Sequence, residues 1–175
     1  AVNDDPTNAG SLPIDITVTE DVSSNVDLSA IDISDLDDNG TNLTVTLSTS
    51  TGGTLSAASG GGVTVGGSGS GTLSLTGSLA DLNSFLDTPS HITYLHGTPH
   101  LNGNDADSMT IVVNDGGNTG SGGGTDQTLG TVNVDITAVN DEEVLAANTG
   151  TTVNEASSGN VISTAMLETT DVDNT

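Results

Sequence analysis

A chain of 175 residues has room for one ordinary domain and part of another. It carries no Lys or Arg against 24 Asp and Glu, a formal charge of −24, and it has no Cys. Nucleic acid and anionic membrane surfaces are therefore not expected as direct partners, since both need basic groups to neutralise phosphate. Disulfide and thiol chemistry are excluded as well.

No apolar run approaches the ~20 residues of a membrane span. No signal-peptide pattern opens the sequence, so export would use a leader already removed or carried elsewhere in a longer polypeptide. The natural partner for so many carboxylates is a hard cation; the bland alternative is a solubilising acidic surface. Phe85 and Tyr94 are the only aromatic residues and Gly numbers 23, so the core is expected to be thin. Bound metal would offset that by mass action.

Taken in order, the pattern is β throughout. Ile14, Ile16 and Val18 alternate with Asp15 and Thr17, a period of two. Val26 and Leu28 continue it; Ile31 and Ile33 take the other parity, which predicts a bulge or bend near Ala30. Residues 43–47 alternate cleanly, and runs at 72–76, 92–95, 109–113 and 131–136 read as further strands. Roughly seven strands spaced by turn residues predict an antiparallel sandwich. One segment breaks the period: Leu79, Leu82, Phe85 and Leu86 share a helical face, and Ser78 followed by Asp81 predicts a cap. One or two helical turns should cross there from sheet to sheet. Residues 60–71 read as an ordinary glycine-rich loop, and residues 116–124 as the end of a long hairpin. Strand-like runs near 144–153 and 161–167 are too little chain to close a sandwich of their own.

The sequence repeats itself. Ala1-Val2-Asn3-Asp4 returns as Ala138-Val139-Asn140-Asp141. Val18-Thr19-Glu20 matches Val153-Asn154-Glu155, Ser24-Asn25-Val26 matches Gly159-Asn160-Val161, and Ser34-Asp35-Leu36-Asp37 matches Thr170-Asp171-Val172-Asp173. Four landmarks in one order at offsets of 135 to 137 read as a repeat array. Residues 1–141 form one full unit and residues 142–175 the start of a second, or a donated tail.

Asp35-Leu36-Asp37-Asp38-Asn39-Gly40 fits the first half of an EF-hand loop. Calcium takes about 6–8 oxygens, and alternate acids on a turning backbone can aim their carboxylates at one point. The twelfth loop position is Thr46 rather than Glu, so an EF-hand itself is not expected. Taken alone, the motif fits a polar Asn-Gly turn as well as a calcium site. Asp171 and Asp173 keep the acids while losing the Asn-Gly, which leans toward ligands. Asn-Asp at 3–4 and at 140–141 stands where units meet, rich in short oxygen ligands; a plain Asx turn is the alternative there.

These motifs resemble those of a cadherin-like repeat of large bacterial adhesins and surface proteins. Val2-Asn3-Asp4-Asp5-Pro6 is similar to the family's linker, and Glu20 and Glu155 to its early Glu. Asp35 with Asp37, and Asp171 with Asp173, resemble its D-x-D loop, and Asp115-Gly116-Gly117 its late D-x-G. The resemblance covers nearly the whole chain and implies a Greek-key, cadherin- or Ig-like β-sandwich that binds Ca2+ at two junctions. Asn3, Asp4, Asp35, Asp37 and Asp115 would serve the upper end, completed by a preceding domain. Glu20, Asn140 and Asp141 would serve the lower junction, with Asp171 and Asp173 from its other side. The family's later acidic pair has no clear copy, with Asp81 and Asp87 as candidates.

His91, His96 and His100 lie close together but read as exposed strand and loop residues rather than a zinc site. Gly67-Ser68-Gly69-Ser70-Gly71 has the Gly-x-Ser-x-Gly spacing in a low-complexity loop followed by a strand, whereas a nucleophile elbow leads into a helix. An enzyme is not expected. The resulting expectation is a calcium-stiffened extender in a secreted or cell-surface adhesin, its partners being neighbouring repeats. The alternative is a self-assembling filament or lattice subunit that donates the 142–175 tail to an identical neighbour.

Overall fold

The two-residue period read from the sequence places the core. The computed structural model describes residues 2–117, 121–150, 152–153, 155–156 and 158–171. The chain forms two compact units, Ala1–Ala138 and Val139–Thr175.

The first unit runs β1 (Thr7–Asn8), β2 (Asp15–Thr19), β3 (Ser24–Asn25), β4 (Ile33–Ser34), β5 (Asn42–Thr49), β6 (Gly53–Ala57), β7 (Thr64–Gly66) and β8 (Thr72–Ser78). It continues with α1 (Leu79–Leu86), β9 (Ile92–His96), β10 (Gly103–Asn114) and β11 (Gln127–Thr137). A six-stranded sheet in the order β2-β11-β10-β5-β8-β7 and a three-stranded sheet β3-β9-β6 enclose one core, and β1 pairs with β4. The fold is an all-β sandwich. Leu43, Val45 and Leu47 of β5 meet Leu73 and Leu75 of β8 and Met109, Ile111 and Val113 of β10, all at most 1% exposed. At about 25 cal/mol per Å² of apolar surface, these stacked rows are the main source of stability. Both aromatic residues, Phe85 and Tyr94, are spent inside.

Two sequence expectations change and a third is resolved. Every named pairing is antiparallel except one: β2 lies parallel to β11, with Ile16 opposite Val134. The 60–71 segment is more than a loop, because Val63 is buried and β7 extends the sheet beyond β8. The parity change near Ala30 is the bend of the two alternatives, a tight turn: Ile31 N–H donates to Leu28 O at 2.9 Å, and Leu28 and Ile31 are both buried.

Helix α1 carries the chain from β8 in one sheet to β9 in the other. The Ser78 hydroxyl oxygen accepts from Asp81 N–H at 3.2 Å and donates to Asp81 Oδ2 at 2.6 Å, so two groups at the helix start are satisfied together. Leu82, Phe85 and Leu86 face the core. Ser78→Ala should lower unfolding free energy by ~1 kcal/mol, read as a lower urea midpoint at unchanged slope.

An acid holds one corner of the sandwich. Asp107 sits on the same inward parity as Met109, Ile111 and Val113 and is only 3% exposed. Its Oδ1 accepts from Ser50 N (3.0 Å), Ser50 Oγ (2.8 Å), Thr51 N (2.9 Å) and Ser108 N (2.7 Å). Its Oδ2 accepts from Gly53 N (3.1 Å) and Tyr94 Oη (2.8 Å). Burial pushes its pKa up, but the donors led by Ser50 and Tyr94 outweigh that and hold the carboxyl well below the ordinary range. Burial and the adjacent carboxylate push the Tyr94 phenol far up. A Cβ at Gly53 would collide with the Tyr94 ring and Asp107, so the β5–β6 turn needs glycine there.

The second unit is a hairpin, β12 (Val144–Asn148) antiparallel to β13 (Leu167–Thr170). The second strand starts at Leu167, later than the sequence pattern indicated, and Val161 and Ile162 lie outside it, exposed. The hairpin repeats local geometry of the first unit. Thr7 opposite Ser34 and Asn8 opposite Ile33 recur as Val144 opposite Thr170 and Leu145 opposite Thr169. The turn from Leu28 O to Ile31 N recurs from Ser163 O to Met166 N. The left-handed backbone at Asp21 (φ 57) recurs at Ala156 (φ 61). What differs is burial: Val18 and Val26 are each 3% exposed, and their counterparts Val153 and Val161 are 52% and 74% exposed. The correspondence is thus one of local backbone geometry, with the apolar positions exposed in the second unit.

Candidate metal centre

Pairing of β1 with β4 brings the N-terminal segment beside the loop that follows β4, and the inward row of β10 ends on Asp115 next to both. Four oxygen-bearing side chains thus gather at one end of the first unit, Asn3, Asp35, Asp37 and Asp115, and Asp4 joins them through its backbone N–H. Asp115 is fully buried. Its Oδ1 accepts from Gly117 N at 2.9 Å and Gly124 N at 3.2 Å, and its Oδ2 accepts from Asn3 Nδ2 at 2.7 Å. Burial raises its pKa, but these three donors bring it below the ordinary carboxylate value. Asp4 N–H donates to Asp37 Oδ1 at 3.3 Å, and Asp37 N–H to Asp35 Oδ1 at 3.2 Å.

The other oxygen of Asp35 is different. Oδ2 is buried and receives no hydrogen bond. Burial pushes the Asp35 pKa up; the Asp37 backbone N–H opposes this, while the neighbouring Asp37 carboxyl, able to share a proton with it, and then the charges of Asp37 and Asp115 add to the rise. A desolvated carboxylate oxygen facing other carboxylates is poorly served by the protein alone. A proton shared with Asp37 or a bound cation would each relieve it, and a set of oxygen donors could hold a metal ion.

The glycine-rich stretch after Asp115 closes over this end. A Cβ at Gly123, where φ is +87, would strike the Asn3 side chain. Val2 bridges to Ser121 in parallel. Residues 118–120 lie outside the described part.

The lower-junction residues are placed unit by unit. Glu20 is buried at 2% exposure, and its Oε2 accepts from Asn102 Nδ2 at 3.1 Å. Beside it Asp21 pairs with His100 at 3.2 Å. In the second unit Asn140 Nδ2 donates to Asp141 O at 3.0 Å, and Asp171 is half-buried after β13. Asp173 lies outside the described residues. Of the two acids considered for the missing pair, Asp81 is tied to the Ser78 cap and Asp87 ends α1.

Sequence reasoning missed a tighter acidic group. Asp15, Asp105 and Asp135 bring carboxylate oxygens within 4.8 Å of one another, an arrangement that could hold a metal ion. Asp135 Oδ1 also accepts from Asp105 N at 2.8 Å. Asp15 and Asp135 meet through the parallel β2–β11 pairing, and Asp105 arrives through a register shift in β10.

The three histidines are dispersed in role. His91 Nδ1 contacts Phe85 O at 3.2 Å, and His100 pairs with Asp21. His96 is buried at 8% exposure, contrary to the expected exposure. Its Nδ1 accepts from Thr98 N, so Nε2 donates to Thr51 O. Ser68, the serine of the Gly-x-Ser-x-Gly spacing, has its hydroxyl tied to the Ala57 backbone.

Among the described residues no helix is long and apolar enough to cross a membrane. No family model and no curated protein sequence matches this chain.

Proposed function

We propose that the chain is a calcium-stiffened structural module from a repetitive extracellular adhesin or surface protein, of cadherin-like type. Its work is mechanical: it extends and spaces, and cations bound at unit ends limit bending between neighbours. The observation that supports this most is the Asp35 Oδ2 atom, buried without a donor amid Asn3, Asp4, Asp37 and Asp115. Four side chains from one unit supply part of the roughly 6–8 oxygens calcium takes, leaving room for water or a preceding unit. The repeat of pairing register, turn and left-handed position between residues 7–34 and 144–170 supports the array half of the reading.

A second reading, a subunit that donates residues 142–175 to an identical neighbour, has the exposed hairpin in its favour. The tail is a poor substitute for the segment it would replace. At the buried Leu28 position it carries Ser163, and at the buried Ile33 position Thr169. Exchange would trade buried apolar groups for hydroxyls, so the extender reading is preferred. Intact mass of the native polypeptide separates the two. A mass far above 17.2 kDa is expected for an array; a mass equal to that of this chain would overturn it.

A further inference from the structure

Asparagine followed by glycine allows a backbone nitrogen to attack the preceding side-chain amide, because glycine has no Cβ to obstruct the approach. The chain has two such pairs, Asn39-Gly40 and Asn102-Gly103. Their surroundings differ. Asn39 Oδ1 accepts from Thr41 N–H at 3.2 Å, and Gly40 N–H donates to Asp38 Oδ1 at 3.0 Å. Residues 38–41 are exposed, and the space a Gly40 Cβ would enter is open. The first bond polarises the Asn39 carbonyl and sits where an oxyanion would develop. The second puts a carboxylate on the proton the attacking nitrogen must lose.

Asn102 has neither arrangement. Its Nδ2 donates to Glu20 Oε2 at 3.1 Å and lies 3.5 Å from His100 O, and Gly103 is held opposite Ile136 at the start of β10. Attack there must remove a donor from buried Glu20 and pull Gly103 out of register.

We propose that Asn39 is a self-deamidating site, with Asp38 as the base and Thr41 N–H as the oxyanion donor. Gly40 N forms a bond to Asn39 Cγ, and the nitrogen's proton passes to Asp38. The side-chain nitrogen leaves as ammonia, taking that proton back. Water then opens the cyclic imide at either carbonyl, giving aspartyl or isoaspartyl at position 39, with one water consumed and one ammonia released. The product adds a charge to the loop carrying Asp35 and Asp37, and the isoaspartyl form lengthens its backbone by a methylene. The chemistry does not depend on the cation reading.

The test is to hold the full chain in heavy-oxygen water at neutral pH and map it by mass spectrometry. Asn39 should convert several-fold faster than Asn102 and take up one solvent oxygen. Asp38→Ala, at an exposed position, should slow conversion at Asn39 by at least ~10-fold. Equal rates at Asn39 and Asn102, or an unchanged rate in Asp38→Ala, would overturn the proposal.

Discussion

Asp107→Ala should cost at least ~3 kcal/mol of unfolding free energy, because a buried donor left without its acceptor costs ~1–3 kcal/mol and several are orphaned together. The donors are the Ser50, Thr51, Gly53 and Ser108 amides and the Tyr94 hydroxyl, and they join the β5–β6 turn to β9 and β10. Urea unfolding should show the loss as a lower midpoint at unchanged slope. Asp107→Asn, which keeps one acceptor oxygen, should recover part of it. The pH dependence has a definite sign. The folded pKa lies below the unfolded value of ~3.9, so the stabilisation is complete above that pH and is lost as pH falls below about 4 toward the folded pKa. A variant as stable as the wild type would mean the network is peripheral.

Asp35→Asn should change sign with the solution. In chelator the substitution removes a charge that is buried on one oxygen and faces Asp37 and Asp115, so thermal stability should hold or rise. In millimolar calcium the same variant should lose most of the gain the wild type shows, because the site has lost its least satisfied oxygen. A structural aspartate would behave otherwise, losing stability equally in both solutions. Thermal midpoints of the two proteins in the two solutions decide between these patterns.

Local periodicity made much of the sandwich legible. Residues 43–47, 72–76, 109–113 and 131–136 advertise an inward row by alternation, and each is a strand in the structure. The cap at Ser78 was equally local. β6 and β7 were missed because they are short and rich in Gly, Ser and Thr, with little apolar signal. The parallel β2–β11 pairing joins residues more than a hundred positions apart, and no window of sequence contains it. The site divided along the same line. Asp35 with Asp37 was a visible motif, whereas the Asp15, Asp105 and Asp135 group exists only through non-local pairing.

The sequence carries a second signal of buried polar groups. Asp107 and Asp115 stand on the inward parity of β10, Glu20 on that of Ile16 and Val18, and His96 on that of Ile92 and Tyr94. A polar residue on an inward row must be hydrogen-bonded or bound to something. All four are buried, and together they mark the main polar anchors of the fold.

The central claim is that the carboxylates at the β1–β4 end are ligands and not solvated turns. Thermal unfolding of residues 1–175 in excess chelator, in millimolar calcium and in matched magnesium tests it most directly. At a free calcium concentration ~100 times Kd, each occupied site should add ~2.7 kcal/mol. For a domain of this size that is a rise of several degrees per site, larger in calcium than in magnesium because a multi-oxygen protein cage suits the larger ion. The same midpoint in chelator and in calcium would contradict the account and leave these acids as turn and surface residues.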